Sequence, residues 1–515
     1  MFLKLVLHKD MNYNYLCHMK QTSIFRIITI AAAVFCAVSN AYSQNLKIDW
    51  GGSANALTGT GEYLPFWART GHDGVMPYTS SGVLTFGADV MYGETDGWNF
   101  EAGTNLVGAI AAGSPVAPRD AYGLVDRLYV SGSWKMLHLD LGMKPRAREL
   151  ADISVSGGNV MYSRNARNIP GINAWSDWIW LGKGKKVAFK GNLAHYQMID
   201  NRFVDGAMLH NKALSMKFAI TGRLDFSLGF EHWAQWGGVS PLYGPQPVSM
   251  MDYVLIFVAG KGREGASTSD KINVLGNHLG KEYFRFDYKA DSFTLTAQYD
   301  KPFEDGSGMR FKNVPDGIWS LQCSMNDRDA FVTDVIYEFI STTWQSGPDH
   351  DRPATEEEKA EQDPSEPTYG KVVLGGCDNY FNNGEYRSGW TNYNRVIGCP
   401  LIIPYAPGAD GKTTAMASTR VRGHHFGIKG VAFDKIPYRF MATYTKNYGR
   451  YKQAETSPFA STPKQLSLAL ELEFGERMMD LPIAFAVGAY ADMGQLYQDS
   501  AGLTLRFFYG RGRRF

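Results

Sequence analysis

Several things are scarce in this 515-residue sequence, and each scarcity excludes a class of protein. It has five cysteines and no CxxC pair, so nothing supports a zinc site built on thiolates. Charge of either sign is not in excess: 52 Lys+Arg stand against 51 Asp+Glu, a net +1. That balance gives no basic footprint for nucleic acid, and none is expected as a partner. Beyond the first fifty residues no apolar run approaches the ~18–20 residues that a membrane-crossing helix needs, which excludes a helical transporter. Catalytic signatures are missing too, with no GxSxG elbow, HExxH pair or GxxxxGK[ST] loop. One GxGxxG, from Gly260 to Gly265, follows an apparent strand and runs on as ASTSDKINV. A dinucleotide site needs a helix N-terminus just there, so these glycines read as a turn. No enzyme activity, cofactor or metal is expected.

What is abundant points elsewhere. Glycine counts 55 and aromatics reach 13%, with a mean hydropathy of −0.26. The 44% hydrophobic fraction excludes a disordered chain, and the mixture suits an all-β protein. At the N-terminus, Met19-Lys20 opens a basic stretch, Ile27–Val38 is apolar, and small residues at Ala41 and Ser43 precede Gln44. This pattern predicts a signal peptide over residues 1–43, with Met19 the better start. Phe35 ahead of Cys36 argues against lipidation. Cys377 and Cys399 bracket one polar segment and could be joined; three separate thiols, with Cys323, is the other reading.

Period-2 alternation dominates beyond Gly82. Leu466, Leu468, Leu470, Leu472 and Phe474 alternate with Ser467, Ala469, Glu471 and Glu473. Ile483–Ala489 and Leu503–Tyr509 behave alike, as do runs at Leu84–Tyr92, Leu137–Met143, Leu214–Ile220, Leu224–Phe230, Phe284–Tyr288, Phe293–Tyr299, Val335–Phe339 and Tyr438–Tyr444. Less regular candidates lie near 98–108, 125–134, 187–199, 252–259, 318–323, 371–377 and 421–431. One clean apolar face and one charged face fit a strand between lipid and a wet lumen. The fold expected is therefore an all-β, transmembrane outer-membrane β-barrel of about eighteen antiparallel strands. Tyr92, Tyr299, Tyr444 and Tyr509 at strand ends suit interfacial girdles.

The barrel is expected over 81–515, with 44–80 as a separate periplasmic or lumen-facing segment. Residues 144–185 form a long insertion that reads as neither strand nor helix, dense in Asn, Ser, Gly and Trp, and could fold inward as a plug or cap one mouth. Trp344–Gly370 carries eight acidic residues between Asp349 and Glu366 and reads as a solvated outer loop; a divalent cation on Asp349, His350 and Asp351 is the weaker reading.

Three segments suit saccharides, which offer hydroxyls to amides, carboxylates and guanidinium groups and C–H faces to aromatic rings. Gly376–Pro400 places Asp378, Asn379, Asn382, Arg387 and Arg395 among Tyr380, Tyr386 and Trp390. His232–Pro247 contributes Trp236, and Asn159–Asn173 is the third. The competing reading is that Asn, Gly and Tyr simply build tight loops.

The ordered motifs SGGNVMYSRNARNIPGI, WGGVSPLYGPQP, LGNHLG, VPDGIW, QSGP, CDNYFNNGEYRSGWTNYNRVIGCP and HHFGIKG resemble the Wzi-type capsule assembly proteins, in particular their Bacteroidetes-type branch. The resemblance runs from about Leu64 to about Phe508. It implies an outer-membrane barrel of about eighteen strands acting as a lectin-like anchor, with capsular polysaccharide, outer-membrane lipids and the barrel assembly machinery as partners. Two departures stand out. The helical bundle of enterobacterial members has no counterpart here except where Gln44–Ser80 or Lys144–Lys185 could hold one. Phe515 supplies a terminal aromatic, but Arg511, Arg513 and Arg514 interrupt the last alternation. Two other classes stand beside the anchor: a porin-like channel whose lumen charges Glu471, Glu473 and Arg506 tune selectivity, and an outer-membrane enzyme acting on lipid or glycan.

Overall fold

Alternation builds the wall. In the computed structural model, residues 46–510 are described, apart from 94–96, 113–120, 268–269, 272–273, 367 and 476–482. The expected signal peptide and the chain end at Phe515 lie outside the described residues. The wall consists of β1 (Leu46–Gly59), β2 (Ser81–Gly93), β3 (Trp98–Ala111), β4 (Ala121–Trp134), β5 (Leu137–Met143), β6 (Gly171–Ser176 and Ile179–Leu181), β7 (Val187–Gln197), β8 (Met208–Ala219) and β9 (Leu224–Trp236). It continues as β10 (Asn277–Lys289), β11 (Phe293–Phe303), β12 (Gly317–Met325), β13 (Asp334–Ser341), β14 (Val421–Ala432), β15 (Ile436–Asn447), β16 (Lys464–Phe474), β17 (Ile483–Gly494) and β18 (Ser500–Gly510). The two parts of β6 both pair with β7, so they form one interrupted strand. Each strand pairs antiparallel with its chain neighbours, and β1 pairs with β18 from Gly51↔Gly510 to Gly59↔Gly502. Eighteen strands thus close, leaving no open edge for lipid to meet.

The two faces sort as period-2 patterning requires. On β16, Leu466, Leu468, Leu470 and Leu472 face out while Gln465, Ser467 and Ala469 are buried inward. Ile110 on β3, outward, is 70% exposed; a soluble sandwich would have covered it. Aromatics collect at both rims: Trp98 stacks on Trp134 and Trp50 meets Tyr509 at one end, while Tyr299 stacks on Trp319 at the other.

Connections differ sharply between the two ends. At one end lie the tight turns 135–136, 220–223, 290–292 and 433–435, together with the start of β1 and the end of β18. The other end carries 60–80, 144–170, 237–276 and 342–420.

Four expectations need correction. The barrel does not begin at 81: residues 46–59 are its first strand, because Trp50, Gly52, Ala54 and their neighbours are needed to close the ladder onto β18. The insertion 144–185 is not strand-free, since it contains β6. The apolar run near 252–259 is a helix, α2 (Met250–Val258), following the four-residue α1 (Phe66–Arg69). Ser249 and Asp252 form a reciprocal capping box that starts α2. It lies against the outside of the wall, with Tyr253 and Phe257 on His210 of β8. The candidate at 371–377 reduces to Lys371–Val372 paired with Arg352–Pro353. The acidic loop holds a short helix, Glu356–Ala360, capped by Thr355 and tied through Arg352 to Glu358.

Candidate functional site

The long-loop half of the lumen is filled. Loops 60–80, 144–170 and 376–418 fold inward and share one apolar core containing Phe66, Trp67, Ile153, Val160, Tyr380, Trp390, Ile397 and Met416. Wall side chains hold the backbone of this plug. Glu338 of β13 accepts from Ser154 Oγ, Val155 N and Ser156 Oγ at 3.0, 2.7 and 2.6 Å. His425 of β14 meets the Ile153 carbonyl at 2.6 Å, and Asp300 of β11 accepts from Val160 N at 2.5 Å. Small loops with many polar backbone groups can be buried only if those groups are satisfied; the buried acids of the wall do this. Gly398 lets two plug segments touch, since a Cβ there would stand 2.3 Å from the Val160 carbonyl.

The saccharide candidates divide on burial. Tyr380, Tyr386 and Trp390 are enclosed, and Trp390 is 0% exposed with its indole N–H donating to the Met161 carbonyl at 2.7 Å. Asp378 is buried and accepts from Ser346 Oγ. Arg395 is buried, donates to the carbonyls of Arg69 and Met76, and lies over the Tyr78 ring at 4.2 Å. These five are the interior of the plug, not platforms, because a sugar can stack only on an open ring face. Trp236 is also buried, on the outside of the wall under α2 beside Tyr253. Asn379 and Arg387 are exposed and Asn382 is half-buried. Between Thr391–Asn392 and Arg395–Val396, Tyr393 and Asn394 both take positive φ, the geometry of a type I′ turn.

Two acids beneath this region hold their protons more tightly than usual. Glu304 accepts from Asn379 N and Phe381 N at 3.1 and 2.6 Å; burial, then the nearby Asp378, pushes its carboxyl up to about 8. Asp316 accepts from Trp344 N, Gln345 N and the Tyr380 hydroxyl, and burial pushes it up to about 6. Asp351 pairs with Lys371 and Asp349 with Lys452. Cys399 is buried in the plug core while Cys377 is half-buried at its edge, and both are free thiols. The lumen charge Glu471 is gripped by Arg439 at 2.6 and 2.9 Å and by the Tyr490 hydroxyl.

Toward the short turns the lumen is open on one side only, since on the other Asp152 of the plug reaches Lys429 and Arg439 near the turn end of β14 and β15. A cavity of about 470 Å³ lies between the plug and the short-turn end, lined by β5 to β10 and residues 144–164. Its inner wall is paired: Arg146 bridges to Glu231 at 3.0 Å and lies over Trp233 and Tyr162, while Lys281 meets Asp300 at 2.9 Å. Near the turns are Trp175, Trp178, Lys190, Asn192, Lys217 and Asp287. Trp175 donates to Asp140 at 2.7 Å and stacks on His138; the Lys217 ammonium sits 4.6 Å over the Trp178 ring. Trp175 and Trp178 lie within the Trp-dense insertion noted in the sequence. Lys190 and Lys217 carry no sequence signal, because inward lysines on alternating strands look like any solvated face.

Comparison of the sequence with family models and with curated proteins gives no match. Solved structures do match. Wzi of Escherichia coli, an outer-membrane protein involved in group 1 capsule assembly and a carbohydrate-binding β-barrel, is 14% identical with a TM-score of 0.52, covering 93% of this chain and 86% of that one. OccK5 of Pseudomonas aeruginosa is 9% identical (TM-score 0.44; 91% and 98% covered). OccAB4 of Acinetobacter baumannii is 11% identical (TM-score 0.44; 91% and 99% covered). At such identity the likeness to Wzi is one of architecture: the chain has the fold of an outer-membrane β-barrel.

Proposed function

We propose that the chain is a non-catalytic outer-membrane barrel that holds polysaccharide, of the capsular kind, at its long-loop end. Bacterial barrels keep short turns in the periplasm and long loops outside, which makes the plugged end the outer one. The observation that carries the reading is the apolar packing of the outer half of the lumen, where a solute channel would need water. The carbohydrate-binding character of Wzi, whose fold the chain shares, supports it. Contacts would come from Asn379, Asn382 and Arg387 with exposed rings such as Tyr243, Trp344 and Tyr405, over the plug scaffold formed by Tyr380, Tyr386 and Trp390. Each contact is weak, and a repeating polymer sums them. A channel reading draws on the inner cavity alone.

The test pairs two measurements on purified barrel. In planar bilayers the wild type should give no large, steady conductance; such a conductance rejects the closed anchor in favour of the channel. In glycan binding, Arg387→Ala and Asn379→Ala should each weaken retention of capsular polysaccharide, and binding unchanged in both would reject the outer-loop site.

A further inference from the structure

We propose that the inner cavity is a second binding site, entered from the periplasm, for an acidic saccharide. The inference goes beyond polymer retention at the outer end and shares with it only the sidedness. Eight cationic side chains line the cavity against four carboxylates. The deep ones are consumed: Arg146 by Glu231, Lys281 by Asp300, Arg164 by Asp73 of the plug. Among the described residues, no carboxylate lies within ion-pair distance of Lys190, Lys217 or Arg148. Arg148 donates to the Gly71 carbonyl, and burial, with Arg164 beside it, brings its guanidinium down to about 10. The local surplus is positive.

Position matches that surplus to an entering ligand. On β7, Lys190 shares the inward face with Asn192 and Tyr196 and yet is exposed, whereas Tyr196, deeper along the same strand, is buried. Lys217 faces inward two residues from the end of β8 at Ala219. Exposure thus falls from the turn end to the plug, as in a pocket with one mouth and one floor. The floor is Tyr162 and Tyr196, both stacked on the buried Trp233 behind them. The mouth carries Trp175 and Trp178 beside the two unpaired lysines. Anionic groups pair with ammonium, hydroxyls with Asn192, Asn173 and Ser215, and sugar C–H faces with indole rings. A volume of about 470 Å³ lies within the ~300–1,000 Å³ typical of small-ligand sites. The ligand class is a short saccharide, or the end of a longer one, bearing a carboxylate or phosphate.

The experiment is calorimetric titration of detergent-purified, full-length barrel with three probes: a trigalacturonate, maltotriose as its neutral counterpart, and inorganic phosphate. The trigalacturonate should bind, maltotriose should bind markedly more weakly, and phosphate should not displace the trimer. In the double variant Lys190→Gln/Lys217→Gln, trimer binding should weaken about tenfold or more, as loss of charge-assisted bonds predicts. Lys217→Arg should restore most of it, and Glu356→Gln on the acidic outer loop should change nothing. Heat-modifiable migration on gels reports that each variant is still a closed barrel. No binding of the trimer, equal binding of maltotriose, displacement by phosphate alone, or an unchanged affinity in a folded double variant would each overturn the proposal. Because the trimer is too short for summed outer-loop contacts, its behaviour is separate from polymer retention, and either site can fail without the other.

Discussion

The two halves of the lumen are walled by the same strands and yet differ in kind. Toward the long loops, wall acids such as Glu338 and Asp300 are spent on plug backbone, and Trp390 is sealed among Phe381, Ile397 and Trp233. Toward the short turns, Trp178 and Lys217 face open space and each other. A barrel lumen needs filling only where loops are long enough to reach in. Where turns are short, the wall's inward side chains must make their own solvated surface. Closure thereby belongs to one end of the tube and the open cavity to the other.

The most severe way to break this division is to remove the plug. Replacing 147–168 by a short Gly/Ser linker should turn the outer half into a wet passage, and planar-bilayer recordings should change from silent to steadily conducting. A variant that stays silent would mean that 60–80 and 376–418 suffice to close the lumen. Next in size is a pair of tryptophan truncations. Trp390→Ala should cost about 3–5 kcal/mol, as large-to-small changes in packed cores do. Trp178→Ala should cost about 0.5 kcal/mol, as at solvated positions; urea unfolding of the two variants in detergent checks the contrast, and equal losses would dissolve it.

The last contrast is one of pH. Glu304 has an ordinary value of 4.5 and is raised to about 8 in the folded chain. The folded state therefore holds its proton more tightly than the unfolded one. The group's contribution to stability is full below about 4.5 and is lost as pH rises through 8. Asp316, raised from 3.8 to about 6, acts in the same direction over a lower window. Thermal midpoints should fall from pH 5 to pH 9, and Glu304→Gln should flatten the upper part of that fall. A midpoint that rises with pH in the wild type would contradict the assignment.

Most of the wall could be read from sequence, since lipid on one side and polar lumen on the other enforce a strict period of two. Leu466–Phe474 and Leu503–Tyr509 have the faces their alternation predicts. Leu46–Gly59 escaped because Trp50-Gly51-Gly52-Ser53-Ala54 is rich in small residues and shows no apolar stripe. The run near 252–259 fits a strand as well as a helix, because a short apolar stretch suits either period; the mark that separates them is Ser249 three residues before Asp252, a capping pair. Within the candidate site, composition identified a segment and not a surface. Asn379 and Arg387 are exposed while Trp390 and Arg395 are buried, and only the three-dimensional path of 376–400 separates them. The inward lysines 190 and 217 become visible only once the register of β7 and β8 is known.

The seam between the first and last strands joins residues more than 440 positions apart, Gly59 with Gly502, so it is the one rung of the cylinder with no hairpin behind it. The chain leaving β1 crosses it at once. Thr60 N–H donates to the Ala501 carbonyl at 2.9 Å, α1 places Phe66 N–H on Asp492 at 2.9 Å, and Arg69 lies over the Tyr497 ring. The beginning of the plug is therefore also a clasp across the joint. Prising β1 from β18 pulls on α1 and so on the packed interior. Lateral opening of the cylinder and unblocking of its bore become one mechanical event, and a barrel that held a polymer under tension would resist both together.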